Sequence, residues 1–147
     1  MASNSTQQTD TPTRRQTVQQ QRAQFAWEQV ADVPANLRAP YLGAVRAAPA
    51  MVIGNGLGPT LAFQLAKGGA YKALYEQLEI WLCDRKQSVL PSAGQTPPGK
   101  NRLVQRLLAQ DSAHYRRATV ETLALLEWLK RFAEATIEET SEHAGPE

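Results

Sequence analysis

With 147 residues, 42% of them hydrophobic, the chain has the size and apolar content of one folded domain, and its 16 Lys and Arg against 14 Asp and Glu leave a net charge of only +2. Those values exclude a wholly disordered chain, and they exclude a nucleic-acid binder recognisable from net charge alone. The single cysteine, Cys83, excludes an intrachain disulfide and a thiolate-rich metal site, and its apolar, helically patterned surroundings make it a packed thiol.

Residues 1–13 hold no large apolar side chain beyond Met1, so they are expected to form a flexible tail, as are residues 141–147. From Arg14 to Val33 the periodicity predicts a helix. Val18, Phe25, Ala26, Trp27, Val30 and Val33 form its broad apolar face, and Gln20, Gln24, Glu28 and Asp32 lie opposite. Arg22 falls inside the apolar arc, either lying over the core edge against a carboxylate or making a functional contact. Pro34 ends this element.

A second helix is predicted from about Asn36 to Ile53, bent by Pro49 and stopped by Gly54-Asn55-Gly56. A short third helix, Pro59 to Lys67, is apolar nearly all round, which predicts a central position; Gly68-Gly69 closes it. The fourth, Ala70 to about Arg85, carries Tyr71, Leu74, Tyr75, Leu78, Trp81 and Leu82 at helical spacing. Three prolines and two glycines make 87–99 a loop. A fifth helix spans roughly Lys100 to Gln110, and the last runs from an N-cap at Asp111 or Ser112 to about Glu139. Trp81 and Trp128 sit among apolar neighbours at helical spacing and are expected in the core. The fold predicted is all-α, a single-domain bundle of about six helices over residues 14–140.

A catalytic site needs titratable groups that converge, and the pattern offers none. Of the two histidines, His143 lies in the C-terminal tail and His114 near a helix start. The sequence has no His-Asp pair, no H-E-x-x-H and no carboxylate pair on an apolar helix face, so no metal or cofactor is expected and the chain is not read as an enzyme. Gly54-Asn55-Gly56-Leu57-Gly58 resembles a phosphate-binding glycine loop, but a helix and not a strand precedes it. As a helix-turn-helix reader the segment is also poor, because the following helix offers base edges only Thr60, Gln64 and Lys67. No basic-then-apolar leader and no long apolar run occur, so a cytoplasmic location away from membranes is expected.

The charges are segregated. Residues 100–117 carry Lys100, Arg102, Arg106, Arg116 and Arg117 against Asp111, whereas 118–147 carry Lys130 and Arg131 against seven glutamates. On the last helix Arg117 with Glu121, Glu127 with Arg131 and Lys130 with Glu134 are spaced to pair. Arg102, Arg106 and Arg116 have no carboxylate three or four residues on, and unpaired arginines are candidates for phosphate contacts.

Two stretches then resemble one family. They are Asn55-Gly56-Leu57 with Thr60-Leu61-Ala62-Phe63, and Tyr115-Arg116-Arg117-Ala118-Thr119 continuing through Glu121, Leu123, Leu125-Leu126 and Trp128-Leu129-Lys130-Arg131-Phe132-Ala133. With Tyr71 to Leu82 between them, about Arg22 to Ala135 resembles the small helical subunit of the type III-B (Cmr) CRISPR RNA-targeting complex. The resemblance implies a bundle without catalytic activity, whose copies stack into a filament beside the other subunits of the complex. It also implies that basic surface residues help to hold guide RNA and target RNA in antiviral defence. Carried over on the matching stretches are Arg116, Arg117, Lys130, Arg131 and Lys67, with Arg22 as a basic residue of the first helix; Arg102 and Arg106 join them as unpaired charges. Alternative readings are the type III-A small subunit, or a helical adaptor that binds only protein.

Overall fold

The computed structural model describes residues 16–85, 89–90 and 101–138. The expected tails at 1–13 and 141–147, and nearly all of the 87–99 loop, lie outside the described residues.

Thr17 starts the first helix, α1 (Val18–Ala31), with a reciprocal cap. Its hydroxyl accepts the Gln20 amide at 3.0 Å, and the Gln20 side chain accepts the Thr17 amide at 2.8 Å. Asp32, Val33 and Pro34 lead into a 3₁₀ turn, Ala35–Leu37, and then into α2 (Arg38–Asn55). Pro49 does not break α2, although its ring deprives the Val45 carbonyl of a donor. Glycines make the next two joints. Gly56 (φ 94°) separates α2 from α3 (Leu57–Lys67), and Gly68 (φ 73°) separates α3 from α4 (Gly69–Glu79). Positive φ at each position lets the helices fold back on one another within a single residue. The structure therefore makes the Gly54–Gly58 segment a helix-to-helix corner.

A π turn, Ile80–Asp84, extends α4, followed after the connecting segment by α5 (Arg102–Ala109) and α6 (Ser112–Thr136). No strand occurs among the described residues, and the fold is all-α with six α-helices there. Twenty-five residues make α6 about 37 Å long. Its buried stripe, Ala118, Thr122, Leu125, Leu126, Leu129 and Ala133, packs on α1 and α2. On the other side of α2 lie α3 and α4, with α5 laid across α3, α4 and α6. Leu74, Leu78, Trp81 and Leu82 of the fourth element join this core, as do Leu103 and Leu107 of α5. Tyr41 donates to the Gln77 side-chain oxygen at 2.6 Å, and Gln77 donates to the Gln29 carbonyl at 3.2 Å, so these buried polar groups tie α2, α4 and α1 together.

Three expectations about burial need correcting. The apolar face of α1 is narrower than its sequence suggests, because Val18 and Trp27 are 51% and 53% exposed: α6 covers Ala26 and Val30 and leaves the flanks open. Nor is α3 central, since Ala62, Phe63 and Ala66 face solvent while Leu57, Thr60, Leu61 and Gln64 face inward. Trp81 is buried as expected, whereas Trp128 is only partly buried, lying between Gln19 and Phe132 at the α1–α6 seam.

Candidate nucleic-acid interface

The eight basic candidates fall into separate environments. Arg116, Arg117 and Arg131 are exposed on α6, and Lys130 is half-buried at its flank. Arg116 and Arg131 lie fifteen residues apart, about 22 Å along the axis. Arg131 pairs with Glu127 at 2.7 Å, as its spacing predicts. The other two expected pairs do not form. Glu134 bonds Arg46 of α2 at 3.0 Å instead of Lys130, and Glu121 turns away from Arg117 towards α1. Among the described residues, Arg116 and Arg117 therefore carry no carboxylate partner.

Arg116 borders a shallow groove with Leu107, Leu108 and Tyr115. Tyr115 anchors that end of α6, because its phenolic oxygen accepts the Gly58 amide at 2.8 Å and so satisfies an otherwise unpaired donor in the first turn of α3. A Cβ at Gly58 would stand 3.1 Å from this oxygen, which explains the small residue. Lys67 is exposed at the opposite end of α3 from this contact, so it is not gathered with the arginines of α6.

Arg102 and Arg106 are not unpaired, contrary to the expectation from spacing along their own helix. Arg102 forms a two-pronged pair with Asp84 of the π turn and reaches Glu79 at 3.4 Å. Arg106 donates to the carbonyls of Cys83 and Leu90, at 3.0 and 3.1 Å. Glu79, almost wholly buried, also accepts the Leu103 amide at 3.0 Å and the Tyr75 hydroxyl at 3.3 Å. A carboxylate at the first turn of α5 meets both the free amides and the positive end of the helix dipole. These arginines thus dock α5 on α4.

Arg22 takes the carboxylate-paired alternative. Its Nε and Nη2 donate to the two oxygens of Glu121 at 2.7 and 2.9 Å, and Trp81 Nε1 donates to the same carboxylate at 2.7 Å. Burial raises the Glu121 pKa, but the bonds from Arg22 and Trp81 outweigh it and hold the group below its ordinary value. Over the Trp81 ring, 3.5 Å from its centroid, lies the guanidinium of Arg85. Glu79 and Arg85 did not stand out in the sequence, and Glu121 did so only as a neighbour of Arg117 and as part of the resembling stretch. Their partners lie on other elements, and the signal available was only an acidic residue inside an otherwise apolar helical stripe.

The buried Cys83 is not poised as a nucleophile. Burial pushes the Cys83 thiol up to about 11, so at neutral pH it is not a thiolate. Among the described residues no group of three His, Cys, Asp or Glu could hold a metal, and no helix is long and apolar enough to cross a membrane.

Residues 18–136 match the family model described as CRISPR-associated protein (Cas_Cmr5). The fold is similar to the X-ray crystal structure of a CRISPR-associated Cmr5 family protein from Thermus thermophilus, with 30% sequence identity and a TM-score of 0.68 over 84% of this chain and 100% of that one. The chain belongs to the Cmr5 family and is a small subunit of the type III-B Cmr CRISPR complex.

Proposed function

We propose that this subunit is non-catalytic, that its copies stack as a filament within the cytoplasmic effector complex, and that its basic surface helps to hold guide and target RNA during antiviral defence. The observation that carries the RNA contact is the pair Arg116 and Arg117, exposed and without an acidic partner among the described residues. Arg131 and Lys130 extend the basic surface along α6 and Lys67 adds a separate cation at the end of α3, whereas Arg102, Arg106 and Arg22 support it by fixing the helices beneath. Exposed Trp27, Ile53, Leu108 and Val120 offer apolar surface to neighbouring copies or to other Cmr subunits.

Phosphate contacts from one copy are few, and such binding is weak, with Kd on the order of 10⁻⁴–10⁻⁶ M at physiological salt. Copies aligned along one RNA strengthen it through effective concentration. The test is target RNA affinity of the reconstituted complex at two or more salt concentrations, with Lys67, Arg116, Arg117 and Arg131 reversed to glutamate. Weaker capture and a flatter salt dependence are expected. Unchanged affinity and slope, with the variant still incorporated, would leave the protein-only adaptor as the reading.

A further inference from the structure

Where α1, the π turn and α6 meet, Glu121 is the half-buried acceptor for Arg22 and Trp81. Arg85 lies over Trp81, with Nη2 donating to Gln21 at 2.7 Å. Arg117, one turn before Glu121 on α6, is exposed. The guanidinium groups of Arg22 and Arg85 therefore lie around one carboxylate, with Arg117 on the same face of α6 one turn away. The first turns of α1 contribute no compensating acid, because residues 16–27 contain neither Asp nor Glu. Asp84, the nearest acid in sequence to Arg85, is taken by Arg102.

We infer that Arg85, together with Arg117 on the same face of α6 as Glu121, forms a binding site for a backbone phosphate of single-stranded RNA, organised by Glu121, Arg22 and the ring of Trp81. The inference rests on the RNA-contact reading above and assigns it a location that the exposed arginines alone do not give. Each part of the arrangement suits that ligand. The Trp81 face and Gln21 hold the Arg85 plane in place, so little side-chain freedom remains to be lost when an anion binds. Arg85 Nε and Nη1 make no hydrogen bond to any described residue, which leaves one edge of the planar fork for two phosphate oxygens. Phosphate is favoured over a base because Trp81 is only 1% exposed, with Phe25 also against it at 5.0 Å, so no nucleobase can stack on its ring.

The experiment titrates the full chain with a short fluorescein-labelled oligouridine at about 50 and about 200 mM salt, a range over which phosphate contacts weaken steeply. The proteins compared are wild type, Arg85→Gln, Arg85→Lys, Arg117→Gln and the double variant Arg116→Gln/Arg131→Gln, each checked for unchanged helical content. Arg85→Gln and Arg117→Gln should each weaken binding several-fold and reduce the salt slope by about 0.7 for each phosphate no longer neutralised. Arg85→Lys keeps the charge without the fork and should also bind more weakly than wild type. If Arg85→Gln fails to fold, this variant decides, and wild-type affinity in it overturns the site. Should Arg85→Gln bind like wild type while Arg116→Gln/Arg131→Gln weakens, the site is wrong and the wider RNA reading stands. If none of the variants weakens binding, the RNA reading falls and the site with it.

Discussion

Two pairs of arginines, ten residues apart in sequence, have opposite fates. Arg102 and Arg106 on α5 turn towards α4, where Asp84, Glu79 and two carbonyl oxygens take up their donors. Arg116 and Arg117 on α6 face solvent. Spacing along a single helix cannot predict this, because it counts only neighbours on the same helix. α5 is short, and only Leu103 and Leu107 are buried, so charged contacts do much of its docking. α6 is long, buries a continuous apolar stripe and leaves its opposite face without such a task.

The largest expected effect tests how deep the docked region reaches. Trp81→Ala removes a buried ring, the donor to Glu121 and the seat of Arg85, and should cost about 3–5 kcal/mol in urea unfolding. Trp128→Ala should cost less, about 1–2 kcal/mol, because its ring is only partly buried at the seam. Equal losses would mean that the α1–α6 seam is as tightly packed as the centre.

Next comes the carboxylate that sets the fate of α5. Glu79→Ala strands the Leu103 amide, the Tyr75 hydroxyl and one donor of Arg102, and should cost about 2–3 kcal/mol. Amide exchange should speed up first within residues 102–109, with the α6 core still protected. Uniform acceleration would show that α5 is no separable unit.

Most helices were legible in the sequence because a 3.6-residue apolar period marks a buried stripe wherever a partner covers it. Leu74, Leu78 and Trp81 show this on α4 and its π-turn extension, and Leu125, Leu129 and Ala133 on α6. Gly56 and Gly68 were legible as stops because positive φ favours glycine. Trp27 was misplaced because α1 has one principal neighbour, and periodicity does not say how many neighbours a helix has. The candidate site was less legible. Arg22 meets Glu121 across ninety-nine residues and Arg102 meets Asp84 across eighteen, distances that only the fold closes. The π turn that aims Asp84 and Arg85 has no apolar period of its own.

Acid should separate the cluster around Glu121 from the rest. The folded pKa of Glu121 lies below its ordinary value of 4.5, so its stabilising contribution is full above that value. It is lost as pH falls through the folded pKa, because the unfolded chain then binds the proton more readily. Glu121→Gln should therefore be less stable than wild type at neutral pH, with the gap narrowing as pH drops below about 4.5. A gap independent of pH would mean that the Arg22–Glu121 contact acts by shape and not by charge. Urea midpoints taken across that range measure it.

The smallest effects belong to the arginines themselves, and they test the opening contrast most directly. Arg102→Gln and Arg106→Gln each remove hydrogen bonds at a partly buried site and should cost about 1–2 kcal/mol. Arg116→Gln and Arg117→Gln remove charges that touch no carboxylate among the described residues, so each should change stability by no more than about 0.5 kcal/mol. The ordering matters more than any single value, because all four changes remove the same charge and leave a side chain of similar polarity. If the α6 variants lost as much as those on α5, Arg116 and Arg117 would be helping to hold the bundle together. A near-zero cost to folding combined with a clear cost to RNA capture would show that their charge acts on something outside the chain.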